Sequence, residues 1–418
     1  MNYRLTLSAI LMFCLTFAAL GQTDSTVIVH PDHTVSFRYY APDAGKVKLD
    51  GTFQKKPQKM LREGDYWIFH LDTLPPEMYS YRFLINKKHA VPEAAAPGVV
   101  RDIEKYYRYF IIEGDTTQYL FDRSVPHGRV EYVWYPSTMN GMSQRRMCVY
   151  LPSEYAAHPE KQYPVLYLLH GSGGDETAWT DYGRAQQILD NMIADSVIQP
   201  LIVVMPNGNI NLDAAPGESP WMDKKPSANN VSSMAGKYEK SFRKEIVGYV
   251  DKHYRTLPDK EHRAIAGLSL GGLHTVYISL NNPDLFNYVG LFSAQTSNML
   301  DDRKLLMINR AQRNTKRIKQ AWGTIFNFTP SESIFDEKLN EVDVYSNLDD
   351  KLRKQFENAP ALYYIAIGSD DMLLKFNNHF RARLDSLGCP YYYHETPGNH
   401  CWENWRHYLI EFLPMVKW

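Results

Sequence analysis

The first part of the chain alternates apolar and polar positions with a period of two. Six short runs carry this rhythm between Thr26 and about Asp115: TVIVH, TVSFRYYA, KVKLDGTF, DYWIFHLDTL, MYSYRFLI and YRYFIIEG. Gly, Pro, Asp and Asn separate the runs, as expected of turns between strands. Because successive side chains of a strand point to opposite faces, this region is predicted to be a small all-β, immunoglobulin-like sandwich.

From about Arg129 onward the pattern changes to nearly continuous apolar runs with helical stretches between them. EYVWYPS and RRMCVYLPS are expected to form an antiparallel pair, and PVLYLLHG, LIVVMPNG, RAIAGLS, YVGLFSAQ, ALYYIAIGSDD and YYYHETPGNH follow. Unbroken apolar runs are typical of strands covered on both faces. GKYEKSFRKEIVGYVDKHY predicts a helix with Phe242, Ile246, Val247 and Val250 on its inner face. The alternation predicts an α/β domain with a mostly parallel sheet.

These rhythms predict the domain organisation of the 418-residue chain. Residues 22–115 form the sandwich, 116–128 a linker and 129–418 the α/β domain. The polar, helix-favouring stretch 300–359 lies between two strands that need only a short crossover. We expect it to be a helical insertion, and a lid over the site and a surface decoration both remain open.

The N-terminus has the features of a secretory leader. Arg4 precedes the apolar run Leu5 to Leu20, which is too short to span a bilayer comfortably. Small residues before Gln22 fit a cleavage site, so residues 1–21 are predicted to be a signal peptide. Lipidation at Cys14 is the less favoured alternative. The mature protein is expected to be exported, periplasmic or extracellular, and not bound to a membrane.

Charge and cysteine content limit the binding partners, metal sites and disulfides that the sequence allows. The 46 Lys+Arg and 47 Asp+Glu give a net charge of −1, which indicates neither nucleic acid nor an anionic membrane as partner. Beyond the leader, Cys148, Cys389 and Cys401 form neither a disulfide framework nor a zinc pattern. Cys389 and Cys401 pair, or all three are isolated thiols. No metal or cofactor is expected, and the oligomeric state is left open.

Four polar motifs follow strands, in the order and positions that the predicted fold requires of a catalytic site. Ser269 lies in Gly-Leu-Ser-Leu-Gly between the strand RAIAG and a helical stretch. A serine becomes a nucleophile only when a base removes its proton, and the base is usually a histidine oriented by a carboxylate. One later strand ends in Asp370 and Asp371, and the last ends in His400. Although such a serine motif alone is more often a simple turn, the order Ser, Asp, His, with each residue on a loop after a strand, favours a triad.

A glycine-rich turn supplies the remaining requirement, which is a site for the oxyanion. His170-Gly171-Ser172-Gly173-Gly174 ends another strand. Its backbone N–H groups at Gly171 and Ser172, together with the N–H of Leu270, are candidates for the oxyanion hole. No Gly-Lys-Ser/Thr follows, so the turn is not a phosphate loop.

Residues from about 129 to the end resemble an α/β-hydrolase esterase of the group that contains carbohydrate esterase family one, with feruloyl and acetylxylan esterases, and esterase D. LLHGSGGDETAWT, HRAIAGLSLGGLHT, IAIGSDDMLL and GNHCWENWRHYL carry the likeness. The resemblance implies Ser269 as nucleophile and His400 as general base and acid. Its Gly-x-x-Asp pattern selects Asp371 as the triad acid, with Asp370 as the fallback. His400-Cys401-Trp402 fits the family's His-x-Trp unit, although Cys401 stands where a hydroxyl residue is common.

The first half resembles the family forty-eight carbohydrate-binding modules. VSFRYYAPDAGKVKLDGTF and EMYSYRFLINKKHAVPE carry this likeness. Such a module either binds glycan or only packs against its catalytic partner, and the sequence leaves this open.

These features predict a secreted serine esterase that removes feruloyl or acetyl groups from plant-cell-wall glycan such as xylan. Four tryptophans near the site loops either stack on the substrate or only pack: Trp179, Trp221, Trp402 and Trp405. The alternatives are a siderophore esterase of the enterobactin type, an acyltransferase, and a non-catalytic glycan-binding protein on a hydrolase scaffold. Substrate identity rests on family analogy, which does not establish function.

Overall fold

The computed structural model describes residues 25–90, 98–102, 105–215, 218, 236–296 and 343–418. The chain forms two compact units, of which the first contains residues up to 100 and 105–118, and the second contains residues 101–104 and 119–418. The predicted leader and most of the predicted insertion lie outside the described residues.

The first unit consists of short strands in two sheets. In chain order the strands are β1 (Ser25–Val29), β2 (Val35–Tyr40), β3 (Val47–Gly51), β4 (Gln58–Lys59), β5 (Leu61–Glu63), β6 (Tyr66–Leu71), β7 (Met78–Ile85), β8 (Lys88–His89), β9 (Val99–Asp102) and β10 (Lys105–Ile111). The last two residues of β9, Arg101 and Asp102, are grouped with the second unit. One sheet has the order β1-β2-β6-β5, and the other has the order β4-β3-β7-β10-β9 with β8 paired to β7.

Aromatic side chains join the two sheets of this unit into a sandwich. Phe37 of β2 packs edge-on against Tyr81 of β7 with ring centroids 5.0 Å apart, and against Phe110 of β10 at 5.7 Å. Tyr39 stacks on Phe83 at 4.2 Å. These residues belong to one buried cluster, so the alternating runs fold as predicted, with their apolar positions between the sheets.

The second unit is built on one eight-stranded sheet. Its strands are β11 (Arg129–Pro136), β12 (Gln144–Leu151), β13 (Val165–Leu169), β14 (Ile202–Pro206), β15 (Arg263–Leu268), β16 (Tyr288–Phe292), β17 (Leu362–Gly368) and β18 (Tyr392–Thr396). The order is β11-β12-β14-β13-β15-β16-β17-β18. β11 pairs antiparallel with β12, and β12 pairs antiparallel with β14, whereas β14, β13 and β15 to β18 run parallel. The predicted α/β class and the predicted antiparallel pair are confirmed.

Helices connect these strands. They are α1 (Ala178–Asp181), α2 (Ala185–Ala194), α3 (Lys237–Ser241), a π-helical segment (Phe242–Val247), α4 (Gly248–His253), α5 (Leu270–Asn281), α6 (Leu348–Glu357), α7 (Leu374–Leu387) and α8 (Trp402–Met415), with short 3₁₀ turns at Met139–Gly141 and Lys260–His262. The helix predicted from GKYEKSFRKEIVGYVDKHY exists but contains the π-helical segment, and its predicted inner face is buried.

Residues 119–128, which the sequence assigns to a linker, are held within the second unit. The guanidinium of Arg184 donates to the carbonyl of Leu120 at 2.9 and 3.1 Å. Asn191 donates to the carbonyls of Tyr119 and Phe121 at 3.0 and 2.8 Å. The backbone carbonyls of the segment are therefore fixed by side-chain donors of Arg184, which directly precedes α2, and of Asn191 within α2.

The described end of the predicted insertion belongs to the core of the second unit. Leu352 of α6 is completely buried and packs in the same cluster as Tyr277 of α5. Residues 343–359 therefore contribute packing, and the lid and decoration readings apply only to residues outside the described part.

Candidate active site

Ser269 lies at a sharp turn between β15 and α5. Its φ and ψ angles are 53° and −115°, a region that non-glycine residues rarely adopt. Two glycines make room for the turn, because a Cβ on Gly267 would lie 2.3 Å from the carbonyl oxygen of Gly271, and a Cβ on Gly271 would lie 2.4 Å from that of His170. Strained residues of this kind cluster at functional sites, and the turn projects the hydroxyl from the carboxyl edge of the sheet.

The structure brings Ser269, His400 and Asp371 into one hydrogen-bonded chain. His400 Nε2 lies 2.9 Å from Ser269 Oγ. On the other side of the ring, His400 Nδ1 lies 3.0 and 2.9 Å from the two carboxylate oxygens of Asp371. Since the carboxylate can only accept, Nδ1 carries the proton and Nε2 is left free to accept the proton of the serine.

Burial separates the two neighbouring aspartates. The Asp371 side chain is completely buried, and its Oδ1 also accepts the N–H of Leu373 at 2.8 Å. Asp370 is exposed to solvent. The geometry therefore favours Asp371 over the fallback residue.

The loop of His400 is held by small and aromatic neighbours. Gly398 has a φ of +104°, and its carbonyl lies so close to Gly368 that a Cβ there would be 2.3 Å away. Asn404 donates to the carbonyl of Asn399 at 3.2 Å. Trp405 packs edge-on against the His400 ring with centroids 4.9 Å apart. The contact with Trp405 thus adds to the hydrogen bonds of the imidazole in fixing its orientation.

The glycine-rich turn after β13 lies directly beside the serine. A Cβ on Gly171 would lie 3.2 Å from Ser269 Cβ and 2.5 Å from Leu268 Cδ1, so a side chain here would displace Leu268 and crowd the serine. The N–H groups of the Gly171–Ser172 turn and of Leu270, the first residue of α5, are the candidate donors to an oxyanion. The structure places the turn against the nucleophile, and the individual donor roles stay a prediction.

His170 was not among the site residues predicted from the sequence, although it fixes this turn. Its Nδ1 donates to the carbonyl of Gly171 at 2.8 Å, and its Nε2 accepts the N–H of Gly208 at 2.8 Å. Burial lowers the pKa of His170 to about 4, so the ring is neutral near pH 7 and holds one tautomer. A polar residue that ends an otherwise apolar strand was the only sequence signal.

Glu176, which follows the glycine-rich turn, lies in a buried network of charged and polar groups. Glu176 is 1% exposed and accepts from Arg146 Nε at 2.6 Å, from Asn207 Nδ2 at 2.9 Å and from the N–H of Ala215 at 2.9 Å. Burial and the neighbouring Asp175 raise the pKa of Glu176. Glu218 also bonds to Arg146. Such contacts join residues distant in sequence, so no motif could reveal them.

A second histidine–carboxylate pair joins α5, the helix that follows Ser269, to α3. His274 Nδ1 is 2.9 Å from Oε1 of the buried Glu239, which also accepts the hydroxyl of Tyr345 at 2.8 Å. Burial alone would raise the pKa of Glu239, but the charge and hydrogen bond of His274 hold it below the ordinary value. The pair ties α5 to α3 and to the chain just before α6.

Three of the four predicted substrate tryptophans form one buried cluster. Trp179, Trp402 and Trp405 are 1%, 6% and 8% exposed. Trp402 packs edge-on against Trp179 at 5.3 Å and Trp405 at 5.2 Å, and Trp179 Nε1 donates to the carbonyl of Leu169 at 3.1 Å. Burial on this scale favours packing over stacking on a substrate, whose contacts stay a prediction. Trp221 lies outside the described residues.

The described residues hold no group of three or more His, Cys, Asp and Glu side chains that could bind a metal ion. Cys148, Cys389 and Cys401 are free thiols, so the suggested pairing of Cys389 with Cys401 is not formed. Burial raises the pKa of Cys401 to about 12, which keeps this neighbour of His400 protonated. Among the described helices, none has an apolar stretch long enough to cross a membrane.

Residues 140–416 match the model of the Esterase family, described as "Putative esterase". The chain belongs to this family. It is a carboxylic ester hydrolase of the α/β-hydrolase fold, and the resemblance to carbohydrate esterase family one is confirmed, whereas the likeness of the first half to a carbohydrate-binding module stays a prediction.

Among relatives of this esterase, the endo-1,4-beta-xylanase/feruloyl esterase of Xylanibacter ruminicola is 38% identical over 185 residues, which are 44% of this chain and 24% of that protein. The match therefore spans about a quarter of the relative's own length.

Two solved structures share the fold of this esterase. A ferulic acid esterase of Anaeromyces mucronatus, determined with ferulic acid, has a TM-score of 0.50 at 20% identity and covers 72% of this chain and 95% of its own. The enterobactin esterase of Shigella flexneri has a TM-score of 0.58 at 13% identity and covers 95% of this chain and 97% of its own.

Proposed function

We propose that this protein is a serine esterase in which Ser269, His400 and Asp371 act as a triad and feruloyl or acetyl esters of xylan-type glycan are the substrates. The observation that carries the catalytic part is the hydrogen-bonded chain from Ser269 Oγ through the His400 ring to the buried Asp371 carboxylate.

In the first step, Ser269 Oγ attacks the ester carbonyl while His400 Nε2 takes its proton. Asp371 keeps the Nδ1 proton in place and stabilises the imidazolium that forms. The carbonyl oxygen becomes an oxyanion and accepts from the N–H of Leu270 and from the Gly171–Ser172 turn. His400 then gives the proton to the departing alkoxide, which leaves as the alcohol and gives an acyl-enzyme.

In the second step, water replaces the alcohol. His400 removes one proton from the water, and the hydroxide attacks the acyl carbonyl through a second oxyanion at the same donors. Collapse of this intermediate expels Ser269, which regains its proton from His400. The products are a carboxylic acid and the free enzyme.

The substrate assignment is supported by the named relative. The 38% identity to a protein named for both xylanase and feruloyl esterase activity covers 185 residues. A separate observation favours an enterobactin-type ester as second candidate, because the enterobactin esterase fold covers 95% of this chain.

We also propose that the protein is exported after removal of residues 1–21. The proposal rests on the apolar run from Leu5 to Leu20 behind Arg4. N-terminal sequencing of protein recovered from an expressing bacterium should begin at Gln22, and an intact Met1 in all fractions would contradict export by this route.

The test compares four substrates with three proteins. Wild type, Ser269→Ala and the exposed-serine control Ser386→Ala are assayed with para-nitrophenyl acetate, methyl ferulate, acetylated xylan and enterobactin. The hydroxyl of Ser386 only donates to the carbonyl of Arg383 on α7, so its loss should leave turnover unchanged. Loss of the nucleophile should reduce kcat by several orders of magnitude, about 10⁴-fold or more.

The outcomes separate catalysis from specificity. Ferulate or acetate release that disappears only in Ser269→Ala supports the whole proposal. Enterobactin as the best substrate replaces the glycan assignment, and transfer of the acetyl group to an added alcohol in preference to water would make the enzyme an acyltransferase. Equal rates for wild type and Ser269→Ala would overturn the triad, and no turnover of any ester by wild type would favour the binding protein.

A further inference from the structure

Arg101 and Asp102 belong to the second unit, although residues 105–118 of the first unit separate them from the rest of it in the sequence. Within that unit Arg101 makes a bidentate contact with Asp175, with Nη1 2.8 Å from Oδ2 and Nη2 2.8 Å from Oδ1. The Asp175 side chain is 1% exposed, and that of Arg101 is 13% exposed. Paired hydrogen bonds between a guanidinium and a buried carboxylate are among the strongest and most directional in proteins.

Asp175 ends the glycine-rich turn that lies beside the nucleophile. Its Oδ1 accepts the N–H and the hydroxyl of Thr177 at 2.9 and 3.0 Å, and Arg101 also donates to that hydroxyl at 2.5 Å. Between His170 and Asp175 the chain is Gly-Ser-Gly-Gly, which has few conformational restraints of its own. The turn is therefore held at its two ends, by His170 at the start and by the Arg101–Asp175 pair at the finish.

Asp102, the next residue, contacts the side of the site that carries His400. Trp402 Nε1 donates to Asp102 Oδ1 at 3.1 Å. Trp402 packs against Trp405, which in turn packs edge-on against the ring of His400. Two consecutive residues thus contact the supports of the oxyanion turn and of the histidine loop.

We propose that Arg101 and Asp102 are positioning residues of the esterase site, with Arg101 fixing the oxyanion turn through Asp175 and Asp102 fixing His400 through Trp402 and Trp405. The inference rests on the proposed roles of Ser269, His400 and the Gly171–Ser172 turn. It adds two residues that no catalytic motif contains and that lie far from every such motif in the sequence.

Arg101→Met is the first test, with kcat and KM measured on para-nitrophenyl acetate. Misplacing oxyanion donors weakens the transition state more than the ground state, so kcat should fall about 10- to 100-fold with a smaller change in KM. Arg123→Met is the matched control, because Arg123 makes the same bidentate contact with Asp195 at 2.8 and 2.9 Å, but on the surface. It should retain full turnover.

A thermodynamic cycle isolates the pair from other contacts of Arg101. Asp175→Asn and the double variant Arg101→Met/Asp175→Asn are measured beside the single change. If the residues act through each other, the double variant should lose no more activity than Arg101→Met alone, whereas independent effects would multiply.

The pH profile provides a readout that a purely structural role would not move. Asp175 faces Arg101, whose Nε is also 3.7 Å from Asp181. The other titratable groups near Asp175 are the neutral His170, the buried Glu176 and the buried thiol of Cys148. Burial raises the pKa of Asp175, but the hydrogen bonds and charge of Arg101 bring it below the ordinary value. Without Arg101 the carboxylate gains its proton at higher pH, so the acid limb of kcat should move upward in Arg101→Met and stay in place in Arg123→Met.

Asp102 is tested by two substitutions of different chemistry. Asp102→Asn keeps an oxygen that can accept from Trp402 and should retain most activity, whereas Asp102→Ala should lower kcat about tenfold. Thermal unfolding of each variant identifies any that fail to fold, and for these the comparison with the folded conservative variant decides.

Wild-type kcat and an unshifted acid limb in Arg101→Met would overturn the role of Arg101, and equal activity of Asp102→Ala and Asp102→Asn would overturn that of Asp102. Both failures are distinguishable from failure of the proposed function, since Ser269→Ala in the same assay must be inactive for the site assignment to hold.

Discussion

Replacement of Asp371 by asparagine should prevent His400 from acting as a base while leaving the shape of the site intact. In the wild-type enzyme Asp371 Oδ1 accepts from Leu373 N–H at 2.8 Å, and Oδ2 lies 2.9 Å from His400 Nδ1. Asparagine has one acceptor and one donor group in place of two acceptors. Only one of its two orientations therefore keeps the backbone N–H of Leu373 bonded.

That orientation has a direct chemical consequence. With the amide oxygen on Leu373, the NH₂ group takes the Oδ2 position, 2.9 Å from His400 Nδ1. The amide oxygen is also 3.0 Å from Nδ1, but a protonated Nδ1 would then face a donor as well as an acceptor. The ring removes this donor–donor contact by accepting at Nδ1 and moving its proton to Nε2. A protonated Nε2, 2.9 Å from Ser269 Oγ, donates to the serine and cannot take its proton. The opposite orientation places two donors against each other where the side chain is completely buried, at a cost of about 1–3 kcal/mol. The inactive tautomer is thus the favoured one.

We expect kcat to fall about 10⁴-fold in Asp371→Asn, the size of effect known for a wrong histidine tautomer in a serine triad. This corresponds to about 5 kcal/mol of lost transition-state stabilisation. The assay is steady-state hydrolysis of para-nitrophenyl acetate between pH 6 and 9. Asp370→Asn is the control, since it makes the same chemical change one residue earlier, on an exposed side chain.

The reasoning is refuted if Asp371→Asn keeps turnover within tenfold of wild type. It is equally refuted if Asp370→Asn is impaired to the same extent, because exposed Asp370 would then be the orienting carboxylate. Thermal unfolding should change little in either variant, which separates loss of chemistry from loss of fold.

Two further changes test the surroundings of the site. Gly171→Ala places a Cβ 2.5 Å from Leu268 Cδ1 and should lower kcat about 10- to 100-fold. Gly45→Ala is the control, because the nearest atom to its Cβ is 3.5 Å away, and it should leave kcat and the melting temperature unchanged. Equal activity of the two variants would contradict the close approach of the turn to the serine. Glu239→Gln should lower the free energy of unfolding by about 3 kcal/mol at pH 7, measured by urea denaturation, because His274 loses a buried charged partner. The pKa of Glu239 lies below its ordinary 4.5, so this stabilisation is complete above about pH 4.5 and is lost as pH falls through the folded-state pKa. The difference in unfolding free energy between wild type and Glu239→Gln should therefore narrow toward pH 4. A difference that does not change with pH would contradict the assignment.

Periodicity and motif order predicted the sheets and the reacting groups, for a physical reason. In a parallel sheet every strand delivers its following loop to the same edge, so motifs far apart in sequence converge when each one directly follows a strand. Ser269 follows β15, Asp371 follows β17 and His400 follows β18. The hydrogen bonds among these three were therefore foreseeable without knowledge of any helix.

The supports of the site were not foreseeable by the same reasoning. Arg101 and Asp175 are 74 positions apart, and Glu239 and His274 are 35 apart. Whether a charged side chain is solvated or buried against a partner depends on packing that has no local period. The tryptophans show the same difficulty, since an aromatic residue near a site loop has the same sequence signature whether it faces the substrate or, like Trp179, the core.

The strained backbone at Ser269 shows what these supports must accomplish. A non-glycine residue in such a conformation costs about 1–3 kcal/mol and persists only where its surroundings leave it no alternative. The N–H of Ser269 donates to Phe292 at 3.0 Å, and its carbonyl accepts from Gln295 at 3.0 Å and Leu273 at 3.2 Å. These partners lie at or beyond the end of β16 and within α5. Ser269 is therefore held mainly by backbone groups, which residues of many types can supply at those positions. A short serine motif is then sufficient to specify the turn, and the side chains specific to this protein are left to hold the oxyanion turn and the histidine loop around it.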